Sequence, residues 1–178
     1  HGGWRKLSLH HLTYDEKRDK KCITFAEAFG ASNNVAFARW ADQHLSPEVL
    51  KDTASRFYFG RRIPFVFGVG VSEPVIPTGS RLGFARAAAG FSRTGLSVLH
   101  GAMIAASVAN DGTMMKPLLV RRATREETVL FEPEPEPLSV VMSPETAAEL
   151  EVLMLDTVES GTARKFFYRG KRPRVPGV

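Results

Sequence analysis

Residues 23–41, ITFAEAFGASNNVAFARWA, decide how this chain folds. Apolar and aromatic residues recur at helical spacing on both sides of a polar triplet, Ser32-Asn33-Asn34. Thr24 stands where a helix N-cap belongs, with Phe25, Ala28 and Phe29 on one side of the helix that follows. Val35, Phe37, Ala38 and Trp40 resume the pattern in a second helix. Ser and Asn cap helix ends by accepting bonds from free backbone N–H groups, so the triplet has an ordinary explanation. Its place at a junction between two segments that both want burial also makes Ser32 and Asn34 a candidate site.

Further along, Ser46 reads as an N-cap, with Pro47 in the first helical position, Glu48 in the first turn, and Val49, Leu50 and Ala54 for burial in a helix ending near Phe57. Residues 59–90 are rich in glycine and proline and read as mostly loop, with a short apolar run over 65–71. Ser97 opens the best helix of the chain, with Leu99, Met103, Ala106 and Ala109 at helical spacing, ended by Asn110-Asp111-Gly112. Residues 114–123 and 128–131 read as a β-hairpin around Thr124–Glu127, and Glu132 to Pro137 as an extended Glu/Pro linker within the domain. Ser143-Pro144-Glu145 opens a last helix, with Ala147, Leu150, Met154 and Val158 along one stripe, closing at Gly161. The first 21 residues, irregular and highly charged after Tyr14, read as a surface connection.

The phrase TFAEAF-SNN-VAFARWA resembles the Ser-x-Asn motif of the transpeptidase domain of penicillin-binding proteins, with Ser32 and Asn34 at the motif positions. Residues 87–120, in which a Leu-Ser leads into an alanine-rich helix and an Ala-Asn-Asp-Gly turn, are similar to another segment of that family. Val158-Glu-Ser-Gly-Thr-Ala-Arg164 resembles the Val-x-x-Gly-Thr-Ala stretch before the family's third motif. The three stretches come in the family's order. The family's other two signatures, Ser-x-x-Lys with the nucleophile and Lys-Thr-Gly, do not occur in this sequence. The expectation is therefore an internal part of such a domain, spanning 1–178, and inactive alone.

Composition narrows the alternatives. At 178 residues and 43% hydrophobic content the chain can bury a core. It contains no apolar run long enough to cross a bilayer. The net charge of +5 admits acidic partners, and Arg164, Lys165, Arg169, Lys171, Arg172 and Arg174 cluster near the C-terminus. No zinc spacing, RNP-like aromatic pattern or helix-turn-helix accompanies them, so nucleic acid is not the expected partner. The run reads as a solvated basic loop, or as a positive rim for carboxylate-bearing peptides or anionic wall polymer. The histidines at 1, 10, 11, 44 and 100 lack metal-site spacing, and Gly68-Val69-Gly70 lacks the context of a phosphate cradle; no metal or cofactor is expected. Cys22, the only cysteine, reads as a buried or half-buried structural thiol.

The expected fold is α+β and predominantly helical: a partial penicillin-binding-protein transpeptidase or serine β-lactamase-like fold, mainly its helical lobe plus a β-hairpin. The resemblance implies a parent that cross-links peptidoglycan stem peptides through a serine acyl-enzyme and is acylated by β-lactams. It would be membrane-anchored upstream, on the periplasmic or extracytoplasmic face of a bacterial inner membrane. It further implies that Ser32 relays protons, that Asn34 fixes the motif lysine and a substrate amide, and that Gly161 and Thr162 position substrate. Asn33 reads as structural. A penicillin sensor, a serine β-lactamase and a non-catalytic basic scaffold remain the alternatives.

Overall fold

The computed structural model describes residues 7–91 and 93–174. They form eight helices and three two-stranded antiparallel sheets, an α-rich α+β structure. Two compact units divide it, one drawn from residues up to 51, 75–93 and 149 onward, the other from 52–74 and 94–148.

The first unit contains α1 (Leu9–Leu12), α2 (Phe25–Gly30), α3 (Asn34–His44) and α5 (Arg81–Ala88). Leu7, Leu12, Ala38 and Ala85 form its core cluster, with Leu82 and Ala89 packed against it. The stretch expected as a surface connection thus contributes two buried leucines. Arg39 of α3 explains why: its Nε donates to the His11 carbonyl at 2.5 Å and its Nη2 to the Thr13 carbonyl at 3.0 Å and to Asp19 at 2.7 Å. One guanidinium so holds two carbonyls of this stretch, the Thr13 carbonyl also accepting from Arg18 Nη2 at 2.6 Å. Arg86 of α5 does the same for Leu7, donating twice to its carbonyl. Helix α5 lies where loop was expected. Ser80 caps it by accepting from the Gly83 N–H at 3.0 Å, and Phe84 and Ala85 are buried. Cys22 is exposed, against expectation, because it sits in the extended segment leading to α2 and not on a helix face.

The second unit contains α6 (Val98–Ala109), β1 (Thr113–Met115), β2 (Ala123–Arg125), β3 (Thr128–Phe131) and β4 (Pro137–Val140). The residues of α4 (Pro47–Arg56) and of α7 (Pro144–Glu159) are each divided in sequence between the two units. The α6 helix is capped by Ser97 as expected, but its buried face is His100, Met103 and Ser107, while Ala106 and Ala109 are exposed. Each polar side chain on that face makes one bond: His100 Nε2 meets the Phe57 carbonyl at 2.6 Å while its Nδ1 is buried without a partner among the described residues, and Ser107 Oγ donates to the Ile104 carbonyl at 2.7 Å. The expected hairpin is only half present. β2 pairs with β3, whereas β1 pairs with β4, so no strand runs from 114 to 123. Pro117 lacks the N–H that a continuing ladder needs. Pro137, expected in the linker, opens β4, and residues 132–136 carry no helix or strand. Helix α7 matches its expected start, yet Met154 is exposed and only Ala147 is fully buried. None of the residues expected to be buried on α4 is fully buried.

Burial alone would raise the Asp19 carboxyl. Hydrogen bonds from Arg39, the Asp15 backbone and Arg18, with the charge of Arg39, bring it down to about 2 from the ordinary 3.8. A carboxyl depressed in the folded state contributes stability that is present above its unfolded pKa and lost as pH falls through the folded one. The urea midpoint of the wild type should therefore exceed that of Asp19→Asn by a constant margin above about pH 5. The margin should shrink below pH 4 and vanish near pH 2; a margin independent of pH would contradict the ion pair's role.

Candidate functional site

Ser32 sits in a turn that helix α2 makes as it ends. The start of α2 is fixed by a capping box: Thr24 Oγ1 accepts from the Glu27 N–H at 3.2 Å, and Glu27 Oε2 accepts from the Thr24 N–H at 2.7 Å. The bonds that the Thr24 N–H and hydroxyl donate to Glu27 Oε2 hold that carboxyl below its ordinary value. At the other end the Ser32 N–H donates to the Phe29 carbonyl at 2.9 Å and the Asn33 N–H to the Ala28 carbonyl at 2.8 Å. This bond pair is the Schellman pattern, whose left-handed position glycine usually fills. Here serine fills it, with φ of 51°. A side chain in that conformation costs roughly 1–2 kcal/mol, so the hydroxyl is held there against a local preference for glycine.

Asn33 next to it is structural, as expected from the sequence: its side-chain oxygen accepts from the Ala36 N–H at 3.2 Å and caps α3. Asn34 is the first residue of α3 and half-buried. The two motif side chains therefore flank a capping residue, one on the turn and one on the helix. The angle between α2 and α3 is set by aromatic packing. Phe25 stacks on Trp40 with ring centroids 4.9 Å apart, and Phe37 meets Phe25, Phe29 and Trp40 edge-on at 5.9, 6.1 and 5.5 Å.

The partner of the Ser32 hydroxyl comes from 130 residues away. Ser32 Oγ and Thr162 Oγ1 lie 3.1 Å apart, and either can donate. Their backbones are joined as well, since the Thr162 N–H donates to the Gly30 carbonyl at 2.9 Å. Two glycines permit this approach. A Cβ on Gly161 would overlap the Gly30 carbonyl and the Thr157 Cα, and a Cβ on Gly30 would press on the Asp156 carboxylate at 3.3 Å. The arm carrying Thr162 leaves α7 through a fixed end, where the Asp156 carbonyl accepts from the N–H groups of Ser160 and Gly161 at 2.9 and 3.1 Å. Ser32, Gly161 and Thr162 thus meet within the first unit, which also holds Asn34 two residues along the chain from Ser32. Sequence reading did not foresee the Ser32–Thr162 pair or the part played by Gly30. The one available signal was the Gly before the triplet and the Gly-Thr far downstream, which no local spacing connects.

Two exposed hydroxyls in contact can each donate and accept, which is what passing a proton requires. Beside them Gly161, Thr162, Arg164, Lys165, Tyr168 and Gly170 line an open depression of about 550 Å³. Among the described residues no group of three or more His, Cys, Asp or Glu is placed to hold a metal ion. His10 and His11 instead bring their Nδ1 atoms to the Ser8 hydroxyl at 2.9 and 2.8 Å.

Two substitutions test the geometry. Ser32→Gly should be more stable than Ser32→Ala by about 1 kcal/mol, since both lose the hydroxyl and only glycine sheds the left-handed strain; equal urea midpoints would contradict the strained turn. Gly161→Ala should destabilise by roughly 1–3 kcal/mol through overlap with backbone that cannot swing aside. A neutral Gly161→Ala would mean that the two turns do not approach as described.

Comparison with known proteins supplies the family. Among solved structures, penicillin-binding protein A of Mycobacterium tuberculosis is 25% identical over 77% of this chain and 32% of its own length, with a TM-score of 0.69. The same protein in its ceftriaxone acyl-enzyme complex aligns over 88% of this chain and 33% of its own, at 24% identity and a TM-score of 0.73. The D,D-transpeptidase domain of a peptidoglycan glycosyltransferase from Eggerthella lenta covers 88% of this chain and 40% of its own, at 24% identity and a TM-score of 0.66. The chain therefore spans about a third of the length of the first of these. The curated proteins contain no match. The family described as the penicillin binding protein transpeptidase domain matches residues 2–176, and the chain belongs to it.

Proposed function

We propose that this chain is the Ser-x-Asn part of a serine D,D-transpeptidase that cross-links peptidoglycan stem peptides and is acylated by β-lactams. The observation that carries the reading is the Ser32 hydroxyl, held in a left-handed turn and paired with Thr162. Family membership supports it. So does a 25% identical relative, penicillin-binding protein A of Mycobacterium tuberculosis, which forms acyl-enzymes with imipenem and penicillin G.

In the reaction, a serine of a Ser-x-x-Lys motif attacks the carbonyl carbon of the peptide bond after a D-alanine. That serine loses its proton, the C–N bond breaks, and the departing amine gains a proton. An amine of a neighbouring stem peptide then attacks the ester, and the serine oxygen recovers its proton. Ser32 is suited to pass the proton between nucleophile and leaving amine because its Oγ already shares a hydrogen bond with a second hydroxyl. Asn34 offers a carbonyl to the motif lysine and N–H groups to a substrate backbone carbonyl. Gly161 and Thr162 position Ser32 and border the depression where substrate would lie. The parent would work, membrane-anchored, at the extracytoplasmic face of the membrane.

In a domain completed with Ser-x-x-Lys and Lys-Thr-Gly segments, Ser32→Ala should slow acylation by a fluorescent penicillin roughly a hundredfold or more. Asn34→Ala should slow it too. Asn33→Ala should leave acylation nearly intact while costing about 1 kcal/mol of stability as a lost cap. The chain on its own should take no label. A stoichiometric adduct on it, or a larger kinetic effect from Asn33 than from Ser32, would overturn these roles.

A further inference from the structure

The basic run near the C-terminus contains one residue unlike the rest. Lys165, Arg169, Lys171, Arg172 and Arg174 are exposed, whereas Arg164 is half-buried. Its guanidinium donates from Nη1 to the Glu159 carbonyl and from Nη2 to the Gly170 carbonyl at 2.9 Å, and its plane lies over the Tyr168 ring at 4.5 Å. Glu159 is the last residue of α7, so its carbonyl has no partner within the helix. Gly170 lies in the turn between β5 (Tyr168–Arg169) and β6 (Arg172–Pro173), with φ of 65°. Arg164 therefore ties the residue before the Gly161-Thr162 turn to the hairpin after it. Its own N–H closes the turn from within, donating to the Gly161 carbonyl at 3.3 Å.

We propose that Arg164 is a positioning residue of the acyl-transfer site: a cross-brace that holds the Gly161-Thr162 turn against Gly30 and, through the Thr162 hydroxyl, orients Ser32. Its role for the reaction rests on the function proposed for Ser32; the brace itself does not. Thr162 is exposed, and hydrogen bonds hold the turn at its two ends. A planar fork that reaches two carbonyls in different elements does what an ammonium on a flexible stem does not. The charge is incidental to this role. That separates Arg164 from the exposed basic residues around it.

Two measurements decide it. In the chain itself, hydrogen exchange of the Thr162 amide should speed up at least tenfold in Arg164→Ala and in Arg164→Lys, while the Phe29 and Ala41 amides of α2 and α3 keep their protection. An unchanged Thr162 rate overturns the brace whatever the activity. In the completed domain, Arg164→Ala should lower the acylation rate constant about tenfold with the non-covalent penicillin affinity within twofold, and Arg164→Lys should not restore it. In a Thr162→Ala background the same change should add less than twofold, because Arg164 acts through that side chain. Full effects that multiply, or full rescue by lysine, would make Arg164 an independent or electrostatic contributor and overturn the proposal. A wild-type domain that takes no label, with Thr162 exchange still dependent on Arg164, would overturn the proposed function and leave the brace standing.

Discussion

The site depends on one backbone contact, the Thr162 N–H donating to the Gly30 carbonyl. Gly30 is the last residue of α2, and its carbonyl is among those a helix end leaves without an internal partner. The bond from Thr162 satisfies it and brings two turns, distant in sequence, close enough for their side chains to meet. Only glycine at 161 lets the chains come so near. With that contact in place, Ser32 has a hydroxyl partner; without it, the turn after α2 would end in solvent.

The energetics follow from the same geometry. Placing serine where glycine is preferred costs roughly 1–2 kcal/mol. Aromatic pairs are worth about 0.5–1.5 kcal/mol each beyond their buried area, and three of them close α2 onto α3 across the junction. The capping box at Thr24 and the cap at Asn33 fix the two helices at their starts. The strain is thus offset by packing around it, and the hydroxyl is oriented before any substrate arrives. A proton relay that is already aligned needs no rearrangement at the moment of reaction, which is how preorganised groups lower a barrier.

What was legible in the sequence was what local rules control. Thr24 as a cap, the break at Ser32–Asn34, Ser46-Pro47, Ser97 and Ser143-Pro144 all mark helix starts through capping chemistry, and those helices are where they were expected. Tertiary partners were less legible. Helix α5 was hidden by Gly83 and by flanking glycines and prolines that read as loop, and it is held by Arg81 pairing with Asp42 at 2.7 Å across 39 residues. The buried face of α6 was misread because apolar spacing favours Ala106 and Ala109 over His100 and Ser107, whose burial depends on carbonyls elsewhere. The pairing of β1 with β4 and the meeting of Ser32 with Thr162 are long-range choices that no periodicity records. The resemblance supplied Ser32 and Asn34 as a pair and named Gly161 and Thr162; only the geometry gave Thr162 a reason.

The most direct test of the central contact removes it without touching a side chain. Replacing the amide between Gly161 and Thr162 by an ester, in the completed domain, deletes the N–H that the Gly30 carbonyl accepts and leaves the threonine hydroxyl in place. If this bond orients Ser32, acylation by penicillin should slow about tenfold, the equivalent of roughly 1.4 kcal/mol, with the non-covalent affinity little changed. Acylation at the wild-type rate would show that Ser32 is aligned by other means and would contradict the account at its base.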